Sequence, residues 1–225
     1  MNLIEGNAVK FDTYYRFLVD TNEHINLTSI VDKNEVYIKH FLDSLELARA
    51  VPDISLKDYS LIDVGTGAGF PGVPLAIAYP NLHVTLTDSL KKRTDFLSEL
   101  VDRLGINNVS IFHGRAENLG RDDRFREKYD LVTARAVSKL STLVEYCGPF
   151  IHVGGRFIPL KGSDVEDEMK SAQNAVREIG LKYKDIYKYS LQEEMGSRSL
   201  LVYEKVSKTP DRYPRKAGTP SKYPL

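Results

Sequence analysis

The chain carries one cysteine, Cys147, in 225 residues. A single thiol excludes an internal disulfide and a multi-thiolate metal centre. It reads instead as a small buried hydrophobe. Net charge is missing too: 31 Lys and Arg stand against 31 Asp and Glu. No global field therefore announces a polyanionic partner, and any nucleic-acid surface must be a local patch. No uncharged apolar run approaches bilayer length, so no membrane association is expected. Residues 1–6 lack the basic stretch and apolar run of a secretory signal. The sequon Asn26-Leu27-Thr28 would matter only in a secreted chain. A reducing cytoplasm is the expected compartment.

Against these absences, 42% hydrophobic and 28% charged residues are ordinary for a globular protein. The length suits one well-cored domain with a small extension. Three zones are expected. Residues 1–55 have helical apolar spacing, with Phe11, Tyr14, Tyr15, Leu18 and Val19 on one face and Val36, Phe41, Leu42, Leu45 and Ala48 on a later one. Residues 56–206 alternate seven strands with helices. Strands are predicted at 59–64, 83–88, 109–113, 131–134, 156–160, 183–189 and 199–206. Helices are predicted at 73–78, 91–104, 140–146 and 165–179, with Gly105 and Gly180 as stops. Such alternation implies an α/β fold: a mostly parallel, Rossmann-like sheet covered on both faces, with a terminal hairpin adding an antiparallel strand at one edge. Residues 207–225 form a tail rich in proline and basic residues, with Lys208, Arg212, Arg215, Lys216 and Lys222 against Asp211 alone. It is expected to pack on or near the active site and to grip a phosphate backbone.

The chemistry concentrates at strand ends. The first strand runs into Asp63-Val64-Gly65-Thr66-Gly67-Ala68-Gly69, just before a predicted helix. Glycines let the chain turn sharply and let a ligand lie on bare backbone, while the helix start offers free N–H groups. Gly67, Gly69 and Gly72 also match the dinucleotide fingerprint. Two features favour S-adenosylmethionine over NAD. Pro71 removes an N–H that a pyrophosphate would use, and Asp63 stands where an acid can serve a methionine ammonium, directly or through water and backbone. Asp88, at the end of the second strand, suits ribose hydroxyls, although it also suits a helix cap. Ala116 and Glu117, after the third strand, suit the flat face and exocyclic amine of an adenine. Arg135 and Lys161 end the fourth and fifth strands, and Arg198 begins the last. Ligands in open α/β sheets sit beyond the carboxyl ends of strands, so these three cations form a basic rim. His40 and Asp43 lie about one helical turn apart. They are expected to tie the N-terminal helices to the sheet or to line the substrate mouth, with no metal.

Asn26-Leu27-Thr28, residues 40–45, residues 63–72, Ala116-Glu117, Arg135-Ala136, Lys161-Gly162 and residues 213–220 together resemble the bacterial small-subunit ribosomal RNA methyltransferase G family, also called glucose-inhibited division protein B. The resemblance runs from about residue 20 to the C-terminus. It implies a class I methyltransferase that uses S-adenosylmethionine to methylate N7 of a guanine in 16S ribosomal RNA. The partner would be the small ribosomal subunit or its precursor, and the enzyme a monomer. It places Gly65, Phe70, Ala116, Glu117 and Arg135 at cofactor-contacting positions, although an aromatic such as Phe70 suits a core equally well. Asp63, Gly67, Gly69 and Asp88 complete the expected cofactor set, and Arg135, Lys161 and Arg198 the expected catalytic set. The alternatives are a class I methyltransferase with another RNA, a protein or a small molecule as acceptor, an NAD(P)-dependent oxidoreductase, and an RNA-binding module with a degenerate pocket.

Overall fold

A computed structural model describes residues 2–192 and 195–225. The N-terminal zone is a run of short helices around one long one. α1 (Asn2–Glu5) leads into α2 (Ala8–Ile25), which buries Phe11, Tyr14, Phe17 and Leu18. Tyr15 and Val19, expected on that face, are only partly covered, because Phe17 takes the inward position. Asn26 closes α2 in a left-handed conformation at φ 48°. Asp32 then caps α3 (Lys33–Val36) by accepting the Glu35 N–H at 2.9 Å. The chain continues through a π-helical segment, Tyr37–Leu42, into α4 (Asp43–Leu45) and a 3₁₀ turn, Glu46–Ala50.

Strands and helices then alternate: β1 (Ser60–Val64), α5 (Gly72–Ala78), β2 (His83–Asp88), α6 (Lys91–Leu104), β3 (Val109–His113), α7 (Ala116–Leu119), β4 (Tyr129–Arg135), α8 (Leu140–Cys147), β5 (Ile151–Gly162), α9 (Glu166–Ser171), α10 (Gln173–Ile179), β6 (Leu181–Ser190) and β7 (Ser197–Lys205). A last turn, α11 (Thr219–Lys222), lies in the tail. Gly105 at φ 60° and Gly180 at φ 81° end α6 and α10 as expected. Two differences from expectation have local causes. The helix predicted at 165–179 is two helices, because Ala172, with ψ near −3° and its side chain fully buried, tightens the turn between them. β5 begins five residues before its prediction, because Gly154 at φ 95° and Gly155 masked its start while a bulge against β4 carries the pairing on.

The sheet has seven strands in the order β3-β2-β1-β4-β5-β7-β6. All neighbours up to β5 are parallel, and β7 runs antiparallel to both β5 and β6. The order reverses at β1 and β4, which opens the ligand crevice of such sheets beyond their carboxyl ends. Strand alternation divides the core in two. Leu61, Leu131, Ile158 and Leu200 pack with α2, α5 and α6, whereas Ile62, Val132, Phe157 and Leu201 pack with α8, α10 and the tail. The tail is packed rather than solvated: Thr209, Tyr213 and Pro214 are buried.

Candidate active site

β1 delivers Asp63 to the crevice, fully buried. Its Oδ2 accepts from the Thr66 hydroxyl at 2.7 Å and the Gly72 N–H at 2.9 Å. Its Oδ1 is buried and has no hydrogen-bond partner among the described residues. A buried acceptor without a donor is costly unless a ligand or water supplies one. Burial pushes this carboxyl up to about 6, against the pull of the two hydrogen bonds and the Arg135 charge.

The glycines differ in what requires them. Gly65 sits at φ 70°, and a Cβ there would lie 2.8 Å from a Val137 methyl. Gly69 sits at φ 103°, where a Cβ would strike the Tyr14 hydroxyl at 2.6 Å. That hydroxyl donates to the Ala68 carbonyl at 2.5 Å, which fastens α2 to the loop. Gly67, at φ 62°, faces open space, and its N–H donates to Asp88 Oδ2 at 3.0 Å. Asp88 Oδ1 accepts the Leu90 N–H at 2.9 Å. The expected capping role is thus displaced by two residues: Leu90, not Asp88, occupies the cap position of α6.

Beside this loop a cavity of about 130 Å³ is lined by Gly65, Asp88, Ala116, Glu117, Val137 and Tyr146, among others. A second, of about 300 Å³, gathers Arg135, Lys161 and Arg198 with His40, Asp43 and Ile30. The chain leaving β4 runs between them. Ala136, in the left-handed region at φ 56°, lines the basic cavity, and Val137 lines the other. The sequence-predicted residues therefore fall into three groups. Gly65, Asp88, Ala116 and Glu117 share the first cavity, and the three cations, Arg135 among them, share the second. Asp63, Gly67, Gly69 and Phe70 belong to neither lining. Phe70 stacks on Tyr14 at 5.3 Å and on His40 at 4.6 Å, beneath the Arg135 guanidinium at 4.9 Å.

Asp43 organises the basic cavity, although it is only 2% exposed. Its Oδ2 accepts from Arg135 at 2.9 Å and its Oδ1 from the Tyr189 hydroxyl at 2.7 Å, with Arg198 Nε 3.9 Å away. Arg135 also donates to the Lys39 carbonyl at 3.2 Å. Lys161 is held by the Ser138 carbonyl at 3.0 Å and Glu168 at 2.6 Å. Burial and the Arg135 charge push His40 down to about 3, so its ring is neutral at physiological pH. Among the described residues, no nucleophile-and-base pair faces either cavity. Cys147 is buried, and that burial raises its thiol well above the ordinary range.

Sequence reasoning missed the site roles of Tyr14, Val137, Tyr146 and Glu145, and Val137 and Tyr146 carried no signal that separated them from their surroundings. Glu145 could have been noticed, as a lone acid inside the apolar helical run of residues 143–147.

The donors and acceptors suit S-adenosylmethionine. Asp63 Oδ1 offers an acceptor for an ammonium, the open face of Gly67 leaves backbone bare, and Asp88 and Glu117 bring carboxylates to the cavity wall. Comparison with known proteins agrees. The sequence model of the family described as rRNA small subunit methyltransferase G matches residues 7–196. The chain is 48% identical over 226 residues to Ribosomal RNA small subunit methyltransferase G of Ligilactobacillus salivarius, covering all of this chain and 94% of that one. It is 48% identical over 223 residues to the protein of the same name from an Exiguobacterium species, covering 99% and 93%. The likeness thus reaches nearer the N-terminus than residue 20. Among solved structures, an SAM-dependent O-methyltransferase from Thermotoga maritima shares the fold at a TM-score of 0.56 and 16% identity, covering 86% of this chain and 72% of that one. The chain belongs to the rRNA small subunit methyltransferase G family.

Proposed function

We propose that this chain transfers a methyl group from S-adenosylmethionine to N7 of a guanine in 16S ribosomal RNA. The observation that carries this reading is the pair of cavities on either side of residues 135–137: a carboxylate-walled one beside the glycine loop, and a cation-lined one without a proton-transfer pair. Guanine N7 presents a lone pair and no proton, so its methylation needs no general base. Orientation and proximity then supply most of the acceleration. When bound, S-adenosylmethionine supplies the electrophilic methyl. Asp63 holds its ammonium, Asp88 its ribose hydroxyls, and Ala116 and Glu117 its adenine. Arg135, Lys161 and Arg198 hold phosphates or orient the base. His40, kept neutral, lines the cavity and adds no charge.

In this reading residues 1–55 extend a methyltransferase domain of residues 56–206, and residues 207–225 close it from behind. Binding of the polyanion falls to the rim and the tail together. Arg212 is paired with Glu178 at 2.5 Å and Arg215 with Glu145 at 2.6 Å, just as Arg135 is with Asp43 at 2.9 Å and Lys161 with Glu168 at 2.6 Å, so in both places these cations meet phosphate only by sharing or exchanging an acid. The chain is taken to act as a monomer in the cytoplasm, where its substrate, the small subunit or its precursor, is assembled.

The test is tritium transfer from labelled S-adenosylmethionine to small subunits and to naked 16S RNA, followed by mapping of N7-methylguanine. Arg135→Ala should lose methylation by at least about 100-fold while keeping cofactor affinity within a few fold. Methylation at another atom, or full activity in the Arg135 variant, overturns the assignment.

A further inference from the structure

We propose that the C-terminal segment, residues 209–222, is a strap that sets Glu117 for adenine, with Gly218 as the positioning residue. This rests on the reading that Glu117 meets the adenine amine. Glu117 lies on α7, a single turn of four residues. So short a helix does not hold itself, and the orientation of its acid must come from elsewhere. Among the described residues, one protein group donates to the Glu117 carboxylate: the Gly218 N–H, 2.8 Å from Oε1. The other oxygen accepts from no protein group described, and the residue lines the cavity beside the glycine loop. A carboxylate fixed from behind through one oxygen presents the other in a constant direction.

The strap is built to deliver that N–H. Arg126 gathers its first half, donating to the carbonyls of Thr209 at 2.8 Å and Tyr213 at 2.9 Å, and also to Gly120, which follows α7, at 3.0 Å. One guanidinium thus ties the strap to the end of the helix that carries Glu117. Arg215 anchors the second half. Its backbone N–H, Nε and Nη2 all donate to the fully buried Glu145, at 2.7, 2.9 and 2.6 Å. The Thr142 hydroxyl donates to the Pro220 carbonyl at 3.2 Å. Gly218 adopts φ 84°, with nothing within 4 Å of where a Cβ would stand. Space does not require glycine there. The left-handed backbone that aims its N–H at Glu117 does.

The experiment compares two ligands, S-adenosylhomocysteine and its N6,N6-dimethyladenine analogue, which has no amine hydrogen to donate. Affinities are measured by calorimetry on the full chain and on the variants Gly218→Pro, which deletes the donor and, with φ fixed at about −65°, the left-handed turn with it, Gly218→Ala, which keeps the donor and strains the turn, and Glu117→Ala. The ratio of the two affinities does not depend on how much of a variant is folded. We expect Gly218→Pro to shrink the preference for the unmodified ligand about 5- to 10-fold, Gly218→Ala to shrink it less, and kcat at saturating cofactor to stay within about twofold. An unchanged preference in both Gly218 variants, while Glu117→Ala abolishes it, overturns the strap and leaves the Glu117 reading intact. A preference that survives Glu117→Ala overturns that reading, and the strap's role with it.

Discussion

The two ends of the chain brace opposite halves of the site with the same device, a buried carboxylate that collects an arginine from far along the sequence. At the N-terminal end Asp43 is 2% exposed and binds Arg135; at the C-terminal end Glu145 is 0% exposed and binds Arg215. The polarity is reversed between them. In the first, the extension supplies the acid and the sheet supplies the arginine that faces the basic cavity. In the second, the domain supplies the acid and the tail supplies the arginine, which faces neither cavity. The N-terminal brace therefore holds a cation that lines the basic cavity, whereas the C-terminal brace holds a segment of the tail. Breaking the first should damage chemistry and stability together. Breaking the second should damage stability and cofactor fit, and leave the basic rim alone.

Asp43→Ala is the largest expected effect. It leaves Arg135 and the Tyr189 hydroxyl without their shared acceptor in a buried setting. Removing one partner of a buried pair costs about 3–5 kcal/mol, or about 10 °C in Tm for a chain of this size. Thermal unfolding should show that loss, and methylation should fall with it. The cofactor affinity of the folded fraction should change little, because Asp43 does not line the cavity beside the glycine loop. A variant that is stable and active would remove the N-terminal half of the comparison.

Glu145→Ala should act on the other side and less severely. Arg215 is 26% exposed along its side chain, so once unpaired it can turn to water. The loss is about 2 kcal/mol for the severed charged hydrogen bonds. KM for S-adenosylmethionine should rise several fold as the strap loosens, with kcat nearly kept. A fall in kcat with unchanged KM would mean that the tail serves the acceptor instead.

The comparison also shows where sequence reading stops. The glycine loop, the seven strands and the capping glycines were legible because turn chemistry and side-chain periodicity act over a few residues. The cations at 135, 161 and 198 were placed together by one rule, that strand ends converge. The acids that hold the arginines were not, because Asp43 meets Arg135 across 92 positions and Glu145 meets Arg215 across 70. Nothing local marks such a pair. Asp43 was expected, with His40, to tie the N-terminal helices to the sheet or to line the substrate mouth, and it does both. Its partner Arg135 was not foreseen, and its spacing from His40 is carried in part by a π-helical turn rather than an α-helical one. The expectation that the tail grips a phosphate backbone rests on composition, which counts charges without pairing them. The fold pairs Arg212 and Arg215 with acids and leaves mainly lysines outward.

The smallest expected effect separates the two braces by electrostatics alone. Asp63 is raised from its ordinary 3.8 to about 6 by burial, and the Arg135 charge opposes that rise. A carboxyl that binds its proton more tightly when folded weakens the fold as pH climbs from about 4 through 6, and Asp63→Asn should flatten that part of the stability profile. For cofactor binding the sign is opposite. The ionised acid attracts an ammonium, so affinity for S-adenosylhomocysteine should rise with pH and level off above about 6. Arg135→Ala should move that midpoint upward, since it removes a charge that favours the carboxylate. Arg215→Ala should leave it in place, because Arg215 is not among the groups that shift Asp63. At pH 7.5, where Asp63 is largely ionised in every variant, the difference in affinity should be below about twofold. Calorimetric titrations from pH 5 to 8 read this directly. A midpoint that moves with Arg215, or not with Arg135, would mean that the N-terminal brace does not tune the cofactor acid, and that the two ends differ only in what they hold.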